Sequence, residues 1–291
     1  MFKSNSFEKR SDESMDIERF HKDAEKIIDQ SQFKEDDFVP PYSQDSVNED
    51  KKKIETIQAQ FDKRDFEESK EAKKLADIFE ASVMWNGEQS DWFGVNASTT
   101  KTSKFDDLTN GVDLVVEFAG VLSGSASYVG LATDVTFKAD TTSKFDKIRG
   151  RIDDGKLAKV KYFHSNIMNF HGQMSQLPEV VIGANRKAVM ELAELRAAKK
   201  FKQLGEHPIQ IMILHQIEAQ LETYGLYAES IGNHQFADVF NSRLSIIQGI
   251  LEAKKDLVAK TKYEINDLVH SDIIEFMHRW KKTILDERKA A

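Results

Sequence analysis

NGVDLVVEF (110–118) and SYVGLATDVTFKAD (127–140) are the two pieces on which the fold turns. Asn110-Gly111 is a turn pair, and the residues that follow stay largely apolar for the length of one strand. The Gly/Ser-rich GVLSGSAS (120–127) reads as a connection, and the second piece again has strand composition. Side chains alternate faces along a strand, so Asp134, Thr136 and Lys138 share one side while Val135 and Phe137 take the other and can bury. If the two strands pair, Asp113 at the opening of the first projects near Asp134. A carboxylate that interrupts the apolar run from Leu131 to Phe137 must be solvated, paired or metal-bound. Asp113 taken alone reads more simply as a turn or solvated residue.

Upstream, FEESKEAKKLADIFEASVMW (66–85) places Ala72, Leu75, Ile78, Phe79 and Val83 at helical spacing. A turn-rich stretch from Asn86 to Asn110 separates this helix from the hairpin. Downstream, KFDKIRGRIDDGKLA (144–158) predicts a helix with a basic face, and LAKVKYFHS (157–165) and EVVIGA (179–184) predict two further strands. The order helix, hairpin, helix, strand, strand is an α/β layering over residues 66–183. Beyond 184 the apolar spacing is helical almost without relief, which predicts an all-α C-terminal region, 184–291, of about four helices. Residues 1–65 are rich in Lys, Glu, Asp and Ser and read as a flexible charged arm, or as loosely docked helices built on short amphipathic pieces such as IERFHKDAEKIIDQ.

A chain of 291 residues with 40% hydrophobic and 31% charged residues has enough apolar surface for a sizeable core. With no cysteine, a disulfide framework and a thiolate zinc site are both excluded. No run approaches a membrane span, no secretory leader is visible, and a cytoplasmic protein without membrane contact is the expectation. The net charge of −8 argues against a protein that merely coats nucleic acid. The charge is uneven, however, because eight Lys or Arg against four Asp fall between Lys138 and Lys161. That basic stretch is the expected contact for DNA. Neither a phosphate-binding GxxxxGK[ST] loop nor a GxSxG elbow is present.

Two strand aspartates and a lysine on one face supply what Mg²⁺-dependent phosphodiester hydrolysis requires, namely hard oxygen ligands and an ammonium. In order and spacing, residues 66–183 resemble the PD-(D/E)XK nuclease-like superfamily. Glu80, in DIFEASVMW, matches the helix acid; Asp113 matches the strand-opening Asp; Asp134, in GLATDVTF, matches the second acid. The resemblance implies a restriction-endonuclease-like αβββαβ core and a metal-dependent DNA nuclease, with Glu80, Asp113 and Asp134 holding Mg²⁺ (or Mn²⁺). The position implied to hold lysine is Thr136. Lys138, by strand parity, and Lys144, at the opening of the next helix, are the replacements, with Lys161 a third candidate. The alternative is a catalytically inactive nuclease-like domain acting as a nucleic-acid- or protein-binding scaffold.

Weaker signals have plainer readings. Glu117 reads as a salt-bridged edge residue, and Asp106 and Asp107 as turn residues. His164 and His171 lack both cysteine partners and the i,i+4 spacing of a helical metal pair. Tyr162, Phe163 and Phe170 read as core packing before base stacking. The stripes Ile209, Met212, Ile213, Ile217 and Leu244, Ile247, Leu251, Val258 are core first, with homo-oligomer contact through the C-terminal helices as a second use.

Overall fold

The computed structural model describes residues 4–63, 67–120, 126–134, 142–261 and 266–290. Strands β1 (Ala97–Lys101), β2 (Leu114–Ala119), β3 (Ala126–Asp134) and β6 (Glu179–Gly183) form a mixed sheet in the order β1-β2-β3-β6. β1 with β2 and β2 with β3 run antiparallel, and β3 with β6 runs parallel. The crossover between those two parallel strands contains helix α5 (Thr142–Asp153) and a separate antiparallel hairpin of β4 (Ala158–His164) and β5 (His171–Leu177).

Both faces of the sheet are covered, which is why β2 reads as a continuous apolar run. Leu114, Val116 and Phe118 enter the main core. Val115 turns the other way, with Val112, onto Ala158, Val160, Phe163, Met174 and Leu177 of the hairpin. Helix α3 (Glu67–Gln89) covers the first face with Leu75, Ile78, Phe79 and Val83, as its spacing predicts. It lies so close to β1 that a Cβ on Gly87 would overlap Thr99.

The stretch expected to be turns holds β1 and helix α4 (Lys104–Asn110). β1 escapes a pattern search because ASTTK has no apolar alternation; Thr99, Thr100 and Lys101 are buried polar residues. Asn110-Gly111 has a different job from the one its sequence suggests. Gly111 caps α4 in the left-handed region (φ 74°), and its N–H donates to the carbonyls of Asp106 and Asp107. β5 is the other strand without a pattern in the sequence, because HGQMSQL offers only Met174 and Leu177 as apolar side chains and they are three residues apart.

Residues 1–65, expected as a flexible arm or loosely docked helices, contain α1 (Ser4–Ser31) and α2 (Gln44–Asp62). Ile17, Phe20, Ala24 and Ile27 of α1 bury in the main core. Val47 and Ile54 of α2 pack with Phe38, Phe105 and Tyr162. A few apolar residues at helical spacing are enough to dock helices whose remaining surface is charged.

The C-terminal region is mostly helical as expected, with α6 (Arg186–Ala197), α7 (Phe201–Gly205), α8 (Ile209–Ser230), α9 (His234–Ala253), α10 (Lys255–Thr261) and α11 (Leu268–Ala290). Its core is continuous with that of the sheet. Helix α8 lies along β6, where Gln220 Oε1 accepts from Val181 N at 2.7 Å and its Nε2 donates to Val181 O at 2.6 Å. Gln216 repeats the pairing on Gly183, with both bonds at 2.8 Å. Two side-chain amides thus satisfy the outer edge of β6 as a neighbouring strand would.

Candidate metal centre

Three elements converge at the start of β2. The Asp113 N–H donates to Leu131 O at 3.0 Å and its carbonyl accepts from Thr102 N at 3.1 Å, which fixes the residue between β1 and β3. Glu80 comes from α3 and Asp107 from the first turn of α4. One carboxylate oxygen from each of Glu80, Asp107 and Asp113 lies within 4.8 Å of the other two. This donor set is all oxygen, the chemistry that suits Mg²⁺ or Mn²⁺. The acidic cluster is therefore capable of chelating a divalent ion.

Lys101, the last residue of β1, enters the same cluster. Its Nζ lies 2.8 Å from Asp107 Oδ2 and 3.0 Å from Glu80 Oε1, and its side chain is 2% exposed. The contact to Glu80 is within ion-pair range but off hydrogen-bond geometry, so Glu80 Oε1 is a buried oxygen with no hydrogen-bond donor among the described residues. Burial pushes the Glu80 carboxyl well above the usual range; Lys101 opposes this, and Asp113 and Asp107 reinforce it. Burial disfavours the charge on Lys101, but Glu80, Asp107 and Asp113 more than offset it and hold the ammonium protonated.

The cluster forms the floor of a cleft of about 550 Å³. Lys73 of α3, Lys104 of α4 and Lys144 and Lys147 of α5 line it, and Glu25 and Asp29 of α1 and Gln58 of α2 contribute to one wall. Glu179, at the start of β6, also faces the cleft and pairs with Arg151. Burial raises its carboxyl to about 7 against the pull of Arg151 and Lys147.

The expected ligands Glu80 and Asp113 are thus brought together. Asp134 ends β3 with its backbone paired to Gly183, three residues beyond Leu131, whose carbonyl accepts from Asp113 N. Lys138 and Thr136 lie outside the described residues. Lys144 lines the cleft. Lys161 is elsewhere: its ammonium lies 2.5 Å from Asp50 of α2 and over the Tyr42, Phe105 and Tyr162 rings.

Asp107 and Lys101 are the members of the cluster that sequence reasoning missed. A signal for the first exists in SKFDD, a capping-box pattern. Ser103 Oγ accepts from Asp106 N at 3.1 Å and donates to Asp106 Oδ2 at 2.8 Å, which starts α4 and places Asp107 one residue further on. Asp106 itself is fully buried and anchors the β4 backbone through Lys161 N at 2.7 Å and Tyr162 N at 3.0 Å. Among the described residues Glu117 has no salt-bridge partner; its carboxylate accepts from Ser165 Oγ and from Asn166 N at 2.9 Å and so closes the loop between β4 and β5.

No family model matches the chain, and neither a curated protein nor a solved structure matches it. Among the described residues, no helix is long and apolar enough to cross a membrane.

Proposed function

We propose that this chain is a catalytically inactive, nuclease-like domain that holds the phosphate backbone of a nucleic acid in its lysine-lined cleft. The observation that carries the reading is the Lys101 ammonium lodged against Glu80 and Asp107, where a divalent cation would otherwise sit. An ammonium about 3 Å from these carboxylates already neutralises part of their charge and opposes a second cation. Thr136 at the motif-lysine position points the same way. The order of α3, three antiparallel strands, a crossover with α5 and a parallel fourth strand supports the PD-(D/E)XK likeness. Lys104, Lys144 and Lys147 supply phosphate contacts, in keeping with the basic stretch from Lys138 to Lys161.

Metal-dependent hydrolysis of DNA is the second reading, favoured by the convergence of Glu80, Asp107 and Asp113, one carboxylate oxygen of each lying within 4.8 Å of the other two. Those three residues, with Asp134, would hold Mg²⁺ or Mn²⁺, which supplies a Lewis acid and an activated water. Lys101, Lys138 or Lys144 would then serve as the orienting ammonium.

Fluorescence anisotropy with labelled duplex and single-stranded DNA tests the proposal. Lys144→Ala/Lys147→Ala should weaken binding and reduce the slope of log K against log salt by about 1 per lost phosphate contact. Plasmid incubated with the protein and Mg²⁺ or Mn²⁺ should stay supercoiled. Nicking that Asp113→Asn abolishes would establish the second reading in its place, and absence of DNA affinity would end both.

A further inference from the structure

We propose that His164 and His171 form a second, nitrogen-donor metal site, a two-histidine clip for a divalent transition ion such as Ni²⁺, Cu²⁺ or Zn²⁺. The two residues are seven apart in sequence, but the hairpin register places them directly opposite each other on β4 and β5. Their Nδ1 atoms face one another at 3.3 Å. An ion bound tetrahedrally by two imidazoles at Zn–N distances of about 2.0–2.1 Å requires its nitrogens about 3.3–3.4 Å apart. The separation of the two nitrogens therefore matches that of a tetrahedral centre.

The same approach is met, without an ion, by a hydrogen bond in which one ring carries Nδ1–H and donates to the Nδ1 lone pair of the other. A bound ion would replace that hydrogen bond, and the surrounding contacts hold the two rings in place for it. Phe38, itself buried, stacks on the His171 ring at 4.2 Å between centroids and 10° between planes, which fixes the ring's orientation. The two imidazoles are 66° from coplanar. Both side chains are exposed, so water can complete the coordination sphere. The clip is also chemically distinct from the carboxylate cluster, because imidazole prefers late transition ions whereas carboxylate oxygens prefer Mg²⁺ and Mn²⁺.

Titration of the full chain with Cu²⁺ and Ni²⁺ at pH 7.5, read by isothermal calorimetry and by electron paramagnetic resonance of the copper form, tests the site. Binding of one ion with superhyperfine coupling to two nitrogens is expected. His164→Gln and His171→Gln should each weaken it at least tenfold, and Glu80→Gln/Asp113→Asn should leave it unchanged. Bound Ni²⁺ should also raise the unfolding temperature of wild type but of neither histidine variant. Because both histidines are on the surface, circular dichroism can establish that the variants remain folded. Unaltered copper coupling in either histidine variant would overturn the proposal, as would the absence of saturable binding. In that case the pair is a proton-shared hydrogen bond only.

Discussion

Replacing Lys101 with Met keeps most of the side chain's length and apolar stem while removing the ammonium from the acidic cluster. Two contacts are lost, at 2.8 Å to Asp107 and 3.0 Å to Glu80, both to a lysine that is 2% exposed. At an effective dielectric of ~20, each contact near 3 Å corresponds to ~5–6 kcal/mol of attraction. Desolvation of the ammonium offsets much of this, and removing one partner of a buried pair costs ~3–5 kcal/mol in practice. The loss should depend on pH. Glu80 has a raised carboxyl in the folded chain, and without Lys101 it rises further. A raised folded value stabilises the protein at low pH, and that contribution disappears as pH climbs through it. Lys101→Met should therefore cost about 3–5 kcal/mol at pH 8 and clearly less at pH 5. Urea unfolding followed by tryptophan fluorescence would measure both. Adding Glu80→Gln to the variant should recover most of the pH 8 loss, and Mg²⁺ should stabilise Lys101→Met more than wild type, since the cation's place is vacated. A loss that is the same at both pH values, or smaller than ~1 kcal/mol, would refute the view of Lys101 as the internal counter-ion.

Three further outcomes can be measured by the same unfolding assay. Glu179, raised by burial to about 7, binds more protons folded than unfolded between about 4.5 and 7. Its contribution is complete below that window and fades as pH rises through it, so Glu179→Gln should flatten the wild-type decline, by up to ~3 kcal/mol across the window; an unchanged slope contradicts this. Asp106→Ala removes the acceptor for Lys161 N, Tyr162 N, Ser103 Oγ and Asn110 Nδ2. A cost of ~3–5 kcal/mol is expected, with backbone amide exchange accelerated first at β4. Gln220→Leu strips the edge partner from Val181 and should cost ~2–4 kcal/mol, while Gln248→Leu, at an exposed site on α9, should cost under ~0.5 kcal/mol.

What could be read in the sequence follows from where the apolar pattern is strong. α3, α5 and the C-terminal helices carry a helical period and β2 and β6 are short continuous apolar runs, and through them Glu80 and Asp113 could be placed at one end of the sheet. β1 and α4 could not be placed in this way. Their stabilisation comes from buried polar contacts, such as Thr102 Oγ1 to Val112 O at 2.6 Å, and from a helix cap that looks like a hairpin turn. Asp107 and Lys101 ride on those two elements, so half of the cluster was hidden together with them. The docking of α1 was legible only as one of two readings, because its apolar stripe is narrow and mean composition averages it away.

The amide pairing of Gln216 and Gln220 with β6 also has a consequence in time. Gln216 follows Gly183 by 33 residues, and Gln220 follows Val181 by 39. A ribosome adding ~5–20 residues per second leaves an interval of about 2–8 s in which β6 has emerged but the helix that seals it has not. During that interval the growing chain presents an open, apolar strand, Val180 to Ile182, to any other nascent copy. The half of the molecule made last thus acts as the guardian of the half made first, and a chain released before residue 220 would be expected to self-associate rather than fold.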